Sequence, residues 1–339
     1  MKALTVRIIA LVLSVVLVFG LAAFFLFVPG SGGRPNANGV AKDTVIIEMN
    51  EDYSVTADEF FYYVFMSRDN YIDQYGPEIF DLYPFLELSI LSQVDDLLIG
   101  NNAFVMWGKE EGFELTEEDL EEFDIQLDDM KASLLASGKR LKTYLKENNL
   151  NAELFRRIYL RDAYVEKFLY DYLTPEHPAL AVTEAQIGKY IVDKGVLGAK
   201  HILFAYDTYE SPEKCLLAAQ EVLDRLLEGE DFDELMWTYT NDESGLSANP
   251  DGYTFRTGEF VPEFEATTKE LDIGQMSELV ESEYGYHIIL RITADTELVK
   301  IWVQQVRIEE IRSSYERILD PRPTEARDSL VLGEMKPVV

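Results

Sequence analysis

Ala199-Lys200-His201-Ile202-Leu203-Phe204, Gly258-Glu259-Phe260-Val261-Pro262-Glu263-Phe264-Glu265 and Tyr284-Gly285-Tyr286-His287-Ile288-Ile289-Leu290 are the three runs that decide how residues 198–292 fold. The first reads as a strand. The last stays almost continuously apolar from Tyr286 to Ile292, the pattern of a central strand covered on both faces. Between them, Ser211, Pro212 and Glu213 supply an N-cap, a proline at the first helical position and an acid in the first turn. Leu216, Ala219, Leu223 and Leu226 then recur at helical spacing until Gly229. Asp231 opens a second helix, with Phe232, Leu235, Met236 and Tyr239 on one face and Glu234 placed to answer the cap. These signals predict one small α/β domain.

The sequence before it has another texture, helical and rich in aromatics. Thr44 to Met49 reads as a short strand, and Thr56 with Glu59 as a capping box opening a helix that carries Phe60, Phe61, Tyr63, Val64 and Tyr71. Further helical patterns run over 77–108, 116–137, 151–174 and 183–194, with clean starts at Thr116-Glu117-Glu118-Asp119 and Thr183-Glu184-Ala185-Gln186. After the α/β domain, Val299, Trp302, Val303 and Val306, then Ile308, Ile311, Tyr315 and Ile318, suit an amphipathic helix. The last twenty or so residues, with Pro321, Pro323 and Pro337, carry no clear signal.

Ile8 to Val28 is uncharged and apolar, long enough at about 1.5 Å per residue to cross a hydrocarbon core of about 30 Å. The expectation is an uncleaved membrane anchor, with Lys2 and Arg7 holding the short N-terminus in the cytoplasm and the bulk outside. The lesser alternative is a cleaved secretory signal, whose only candidate cleavage site is the distant Gly39-Val40-Ala41. With no cysteine near this segment, a lipid anchor on Cys is excluded. Pro29 to Gly39 reads as a flexible tether. A net charge of −32, from 62 acids against 30 bases, opposes nucleic acid and anionic lipid and favours solubility. Cys215, the single cysteine, lies inside an apolar helix and reads as a small buried hydrophobe. Three histidines, one cysteine and no metal-ligand spacing argue against a metal site, and no GxSxG, P-loop or dinucleotide fingerprint is present.

The order of landmarks over 198–292 resembles the parvulin (PpiC-type) peptidyl-prolyl isomerases. The helical sequence around it is similar, more generally, to the PrsA/SurA-type extracytoplasmic foldases. That resemblance implies an α+β protein: a parvulin-like α/β domain with a small, mainly antiparallel sheet and flanking helices, attached to an all-α chaperone domain behind an N-terminal transmembrane helix. Its domains would be 1–42 anchor and tether, 43–195 helical chaperone domain, 196–293 isomerase domain, and 294–339 a helix returning to the helical domain plus tail. The activity implied is cis/trans isomerisation of X-Pro bonds in exported chains, without a cofactor, with unfolded polypeptides as partners and the cell membrane as location. A binding module that keeps the fold without useful turnover is the alternative.

By match to the family motif, His201 and His287 are the histidine pair on neighbouring strands, and bracing of the two strands is their competing and largely sufficient role. Asp242, in Tyr239-Thr240-Asn241-Asp242, falls where the secreted foldases carry Asp; there a negative group would disfavour charge on the twisting amide's oxygen, although an ordinary turn acid after a helix reads equally well. Ser282 aligns with a hydroxyl bonded to the histidines. Phe260 and Phe264 match the pair that holds the proline ring, Phe264 one turn above Phe260, with core packing as the competing role. Phe255 and Tyr253 complete the apolar set. One departure stands out: Pro250-Asp251-Gly252-Tyr253-Thr254-Phe255 replaces the family's pocket leucine with Gly252, which predicts a thinner wall, weakened catalysis, and a gain on Gly252→Leu; Tyr253 is the side chain that could lean into the gap. No basic cluster near the cleft selects a phosphorylated client.

Overall fold

A computed structural model describes residues 40–330 apart from 51–52 and 148–149. The expected membrane span and tether therefore lie outside the described residues, and among the described residues no helix is long and apolar enough to cross a membrane. In chain order the elements are β1 (Val45–Glu48), β2 (Val55–Thr56), α1 (Ala57–Tyr75), α2 (Ile79–Leu82), α3 (Phe85–Glu110), α4 (Glu117–Ala136), α5 (Leu141–Glu147), α6 (Ala152–Lys167) and α7 (Glu184–Lys194). They continue with β3 (Leu197–Ala205), α8 (Pro212–Leu227), α9 (Phe232–Tyr239), α10 (Glu243–Ala248), β4 (Tyr253–Phe255), α11 (Pro262–Glu270), β5 (Val280–Ser282), β6 (Gly285–Ile292), α12 (Thr296–Leu319), β7 (Arg322–Pro323) and α13 (Glu325–Asp328). Two compact units result. One runs to Leu180 and resumes at Arg307; the other is Ala181–Val306.

In the second unit β4, β3, β6 and β5 form an antiparallel sheet in that order. The β3–β6 ladder runs from Gly198 opposite Ile292 to Ala205 opposite Gly285, which makes β6 the central strand its apolar run predicts. Because side chains alternate across a strand, Ile202, Phe204 and Ile288 face α8 and α9, packing with Cys215, Ala219, Val222, Leu223, Leu235 and Met236. Leu197, Ala199 and Ile289 face the other way, onto Phe255 and Phe264. Local chemistry sets the helices: Ser211 accepts from the Lys214 amide and Asp231 from the Glu234 amide, as their cap residues require. Cys215 is buried with its thiol on the Phe204 carbonyl at 3.1 Å, and burial pushes its pKa up, consistent with an inert packing residue.

The first unit is helical but not all-α. β2, β1 and β7 form a small antiparallel sheet, in which Ile47 lies opposite Pro323. The C-terminal segment without a clear sequence signal thus supplies an edge strand, the place in a sheet that tolerates proline. Three further expectations are corrected. Thr56 makes no capping hydrogen bond to the helix; its hydroxyl donates to Asp58, whose carboxylate takes the Glu59 amide. Glu59 instead turns inward to ion-pair with Arg161 and, at 3.2 Å, with Arg157. The 77–108 pattern is two helices, because Tyr83 precedes Pro84 and cannot comfortably stay helical. The 151–174 pattern ends its α-helix at Lys167 and continues as a π-helical segment over Phe168–Tyr172. The capping boxes at Thr116/Asp119 and Thr183/Gln186 both form. Along α12, Ile308, Ile311 and Tyr315 pack in the first unit against a cluster containing Phe104, Trp107 and Phe168.

Candidate functional site

β4 pairs with only the first three residues of β3. Farther along the same edge the strand is met by Thr240 and Asn241: the Leu203 amide donates to Thr240 Oγ1 at 3.1 Å, the Asn241 amide to the Leu203 carbonyl at 2.8 Å, and the Ala205 amide to Asn241 Oδ1 at 2.9 Å. His201 stands at the junction of these two pairings, and Asp242 follows directly. This lacing is why a residue distant in sequence reaches His201. Thr240 and Asn241 were not singled out from the sequence; their only signal was the turn-forming character of the Asn-Asp pair.

A continuous polar chain results. Asp242 Oδ2 lies 3.1 Å from His201 Nε2, His201 Nδ1 lies 3.2 Å from His287 Nδ1, and His287 Nε2 lies 2.7 Å from Ser282 Oγ. Tyr253 OH donates to the same Asp242 Oδ2 at 2.5 Å, and the Gly245 amide donates to Oδ1 at 3.1 Å. Hydrogen bonds, first from His201 and then from Tyr253, hold the Asp242 carboxyl down at about 2 against the opposing cost of burial. Burial, followed by the neighbouring His201 ring, lowers His287 to about 4, with the Asp242 charge working the other way. With Asp242 ionised, His201 Nε2–H donates to it, and only one of the two facing Nδ1 atoms can carry a hydrogen, so one ring accepts from the other. Ser282 Oγ also accepts from the Tyr284 amide at 3.2 Å, which ties the chain to the β5–β6 turn.

The aromatic set gathers beside this chain. The Phe264 ring meets His201 edge-on at 5.3 Å and His287 at 5.7 Å, and Phe260 stacks on Phe264 at 5.1 Å. Tyr253 meets both His201 (5.4 Å) and Phe260 (5.3 Å) edge-on, while Phe255 lies 4.4 Å from Phe260. All eight residues singled out from the sequence are therefore in one place. They are not equally accessible: Phe264 is 1 % exposed and Phe255 is also buried, whereas Phe260, Tyr253 and Asp242 are half-buried. Phe264 is a floor beneath the site, and Phe260 and Tyr253 are the rings that reach the surface.

Two findings go against or beyond the sequence. Gly252 does not face this cluster. It sits at φ +102°, and a Cβ there would come within 2.7 Å of Ile292 Cδ1, 2.9 Å of Lys200 Cγ and 3.0 Å of the Ala199 carbonyl. It is a turn glycine, not a missing wall, and the space beside Asp242 is filled by Tyr253. Room for the Tyr253 hydroxyl comes from Gly245, where a Cβ would land on that hydroxyl and on the Asp242 carboxylate. Glu265 was missed as well. From the first turn of α11 its carboxylate accepts the Gly258 amide at 2.8 Å and the Phe260 amide at 2.9 Å, fixing the loop that presents Phe260. An acid in a helix's first turn was its only signal.

The PPIC-type PPIASE domain family (rotamase) matches residues 201–293. Among curated proteins, foldase protein PrsA 4 of Bacillus cereus is 31% identical over 204 residues, covering 60% of this chain and 64% of that protein. Foldase protein PrsA of Halalkalibacterium halodurans is 51% identical over 72 residues, 21% of this chain and 22% of that protein. Chaperone SurA of Chromohalobacter salexigens is 35% identical over 91 residues, 26% of this chain and 21% of that protein. The crystal structure of PrsA from Bacillus subtilis covers 82% of this chain and 93% of its own at 21% identity and a TM-score of 0.29. The site and the family match define a parvulin-type, PpiC-family domain. The chain that carries it is similar to PrsA foldases over part of its length, and it spans less than two thirds of the length of each of these curated relatives.

Proposed function

We propose that this chain is an extracytoplasmic foldase that catalyses cis/trans isomerisation of X-Pro bonds and holds unfolded clients while it does so. The observation that carries the reading is the unbroken chain Ser282–His287–His201–Asp242 laid along an aromatic cluster that surfaces at Phe260 and Tyr253. Rotation about a prolyl amide faces a barrier of about 18–20 kcal/mol because resonance is lost in the twisted state. That state is less dipolar, so an apolar face that strips water from the proline and its carbonyl favours it over the planar ground state. No proton has to move. The histidines therefore act by holding β3 and β6 in register and by keeping Asp242 ionised at the rim of the apolar face. Its charge disfavours negative charge on a nearby prolyl carbonyl, and so disfavours the planar form. Part of that charge is already taken up by His201, Tyr253 and Gly245. In this reading 196–293 is the isomerase domain, 43–195 and the returning 294–339 form the holding module, and Ile8–Val28 is the anchor.

The deciding experiment is protease-coupled isomerisation of an X-Pro peptide by the full chain. A rate above buffer that falls in Asp242→Ala is expected; no rate above buffer overturns the isomerase reading. The second reading, a holdase without turnover, is favoured by one observation: Phe264 is closed off, so the accessible apolar face is small. Suppression of client aggregation without isomerisation would establish it. For the anchor, protease added to intact spheroplasts should digest the bulk and leave an N-terminal membrane fragment, and a soluble mature chain starting near Lys42 would sink that part.

A further inference from the structure

The segment from the end of α1 to the start of α3 leaves large apolar side chains outside the core. Leu82 is 71%, Phe85 63% and Leu88 69% exposed, and Tyr75 and Tyr83 are exposed beside them. Tyr83 and Phe85 touch edge-on at 6.0 Å, and Phe85 and Leu88 are one helical turn apart on α3. Several large hydrophobes exposed in one short segment are unusual on a soluble surface and mark an interaction site. The charge around them has one sign. No Lys or Arg occurs between Arg68 and Lys109, and Asp73, Glu78 and Asp81 are exposed along the same segment. Arg68 is drawn over the Phe80 ring at 5.3 Å. Half-buried Glu87 is raised by burial, with Asp81 adding to the effect and Arg68 opposing it, so two carboxylates sit close enough to repel.

This combination selects among occupants. A second copy of the chain would set acid against acid, and an anionic membrane would repel the rim. An apolar chain with positive flanks would bury Leu82, Phe85 and Leu88 and relieve the Asp81–Glu87 repulsion at once. We propose that the exposed ridge Leu82–Tyr83–Phe85–Leu88 with its acidic rim is a docking surface for apolar polypeptide segments flanked by Lys or Arg. The proposal rests on the chaperone half of the function given above and adds the surface and the client chemistry.

The test uses the full chain and two proline-free labelled peptides with the same Leu/Phe core, one with lysines and one with glutamates at both ends, read by fluorescence anisotropy. The lysine peptide should bind at least about tenfold more tightly, and the gap should narrow in molar salt as charges are screened. The triple variant Leu82→Ser, Phe85→Ser, Leu88→Ser should lose binding by about tenfold or more, since it removes the apolar contacts. Its thermal melt should match wild type because none of the three is buried. Asp81→Asn with Glu87→Gln should weaken the lysine peptide alone. Equal binding of both peptides, or wild-type binding by the triple variant, overturns the proposal. So does a concentration-dependent dimer, or attachment to neutral lipid vesicles, that the triple variant abolishes. Binding seen only after removal of residues 1–39 overturns it as well, by assigning the ridge to the chain's own apolar segment. X-Pro isomerisation and aggregation suppression on the same samples separate the failures: loss of peptide binding with suppression intact sinks the ridge, and absent suppression in wild type sinks the chaperone reading.

Discussion

His201 and His287 are diagonal, not opposite, across the β3–β6 ladder: His201 faces Ile289 and His287 faces Leu203, yet their Nδ1 atoms lie 3.2 Å apart and the rings stack at 14°. Diagonal neighbours on one face of a sheet come within reach only of long or planar side chains, and two imidazoles span the gap. A direct nitrogen-to-nitrogen contact tolerates a proton on one side only. One of the two facing nitrogens must therefore stay unprotonated, while Asp242 at one end and Ser282 at the other help set which one carries the hydrogen.

This contact makes stability depend on pH in a definite direction. Folding lowers His287 to about 4 from its ordinary 6.5, so between these values the unfolded chain binds more protons. The contribution is present above about pH 6.5 and is lost as pH falls towards 4, on the order of 3 kcal/mol in all. Imidazole resonances followed by NMR should show His287 titrating near 4. A His287 titration near 6.5 in the folded protein would contradict the burial and the His201 contact that lower it.

Phe260 and Phe264 should separate function from stability. Phe264 is enclosed by Phe255, Ile289 and the histidine rings, so Phe264→Ala should cost about 3–5 kcal/mol of stability and lower activity through disorder of the site. Phe260→Ala removes a half-buried ring and should cost about 1–2 kcal/mol while lowering kcat/KM for an X-Pro peptide more than tenfold. Thermal melts beside isomerisation rates decide the matter, and the reverse ordering would make Phe264 the ring that meets the proline.

Gly252→Leu should not improve the enzyme. A residue with a side chain at φ +102° is strained, and its Cβ would press on Ile292, Lys200 and the Ala199 carbonyl of β3. Loss of about 1–3 kcal/mol of stability, with kcat/KM unchanged or lower, is the expected result in melts and assays. Higher activity would mean that a wall of the site is indeed missing there.

Legibility in the sequence followed the range of the interactions. Caps at Ser211, Asp231, Thr116 and Thr183 were readable because donor and acceptor lie within three residues. β3 and β6 were readable as strands because both lie centrally in the sheet and are apolar on both faces, whereas β4 and β5, three residues each, went unread. Residues of the site could be named only through resemblance, since nothing local to His201 or Asp242 says that they meet. The sheet of the first unit was missed because β7 is two residues long and finds β1 from the far end of the chain. Glu59 was misread because a cap signature and a buried ion pair use the same residue type, and Arg161 lies remote in sequence. Gly252 was misread because an aligned position does not say which way its Cβ would point.

Asp242 and Tyr253 carry the last prediction. Tyr253 gives its hydroxyl to the oxygen that also takes His201, and burial with that bond pushes the tyrosine's own pKa well up. Tyr253→Phe deletes one donor to a half-buried carboxylate while keeping the ring against His201 and Phe260. It should cost about 1 kcal/mol of stability, move the Asp242 titration upward from about 2 towards its ordinary value, and leave KM little changed because the apolar face is intact. Its effect on kcat is diagnostic. If the Asp242 charge acts on the prolyl carbonyl, releasing it from the tyrosine should hold or raise kcat, whereas Asp242→Asn, which removes the charge and keeps the shape, should lower it about tenfold or more. Both sets of rates, measured with one X-Pro peptide from pH 5 to 8, are the check. Equal rates in wild type and Asp242→Asn would show that the carboxylate only ties β3 to α10, and that catalysis belongs to the apolar face alone.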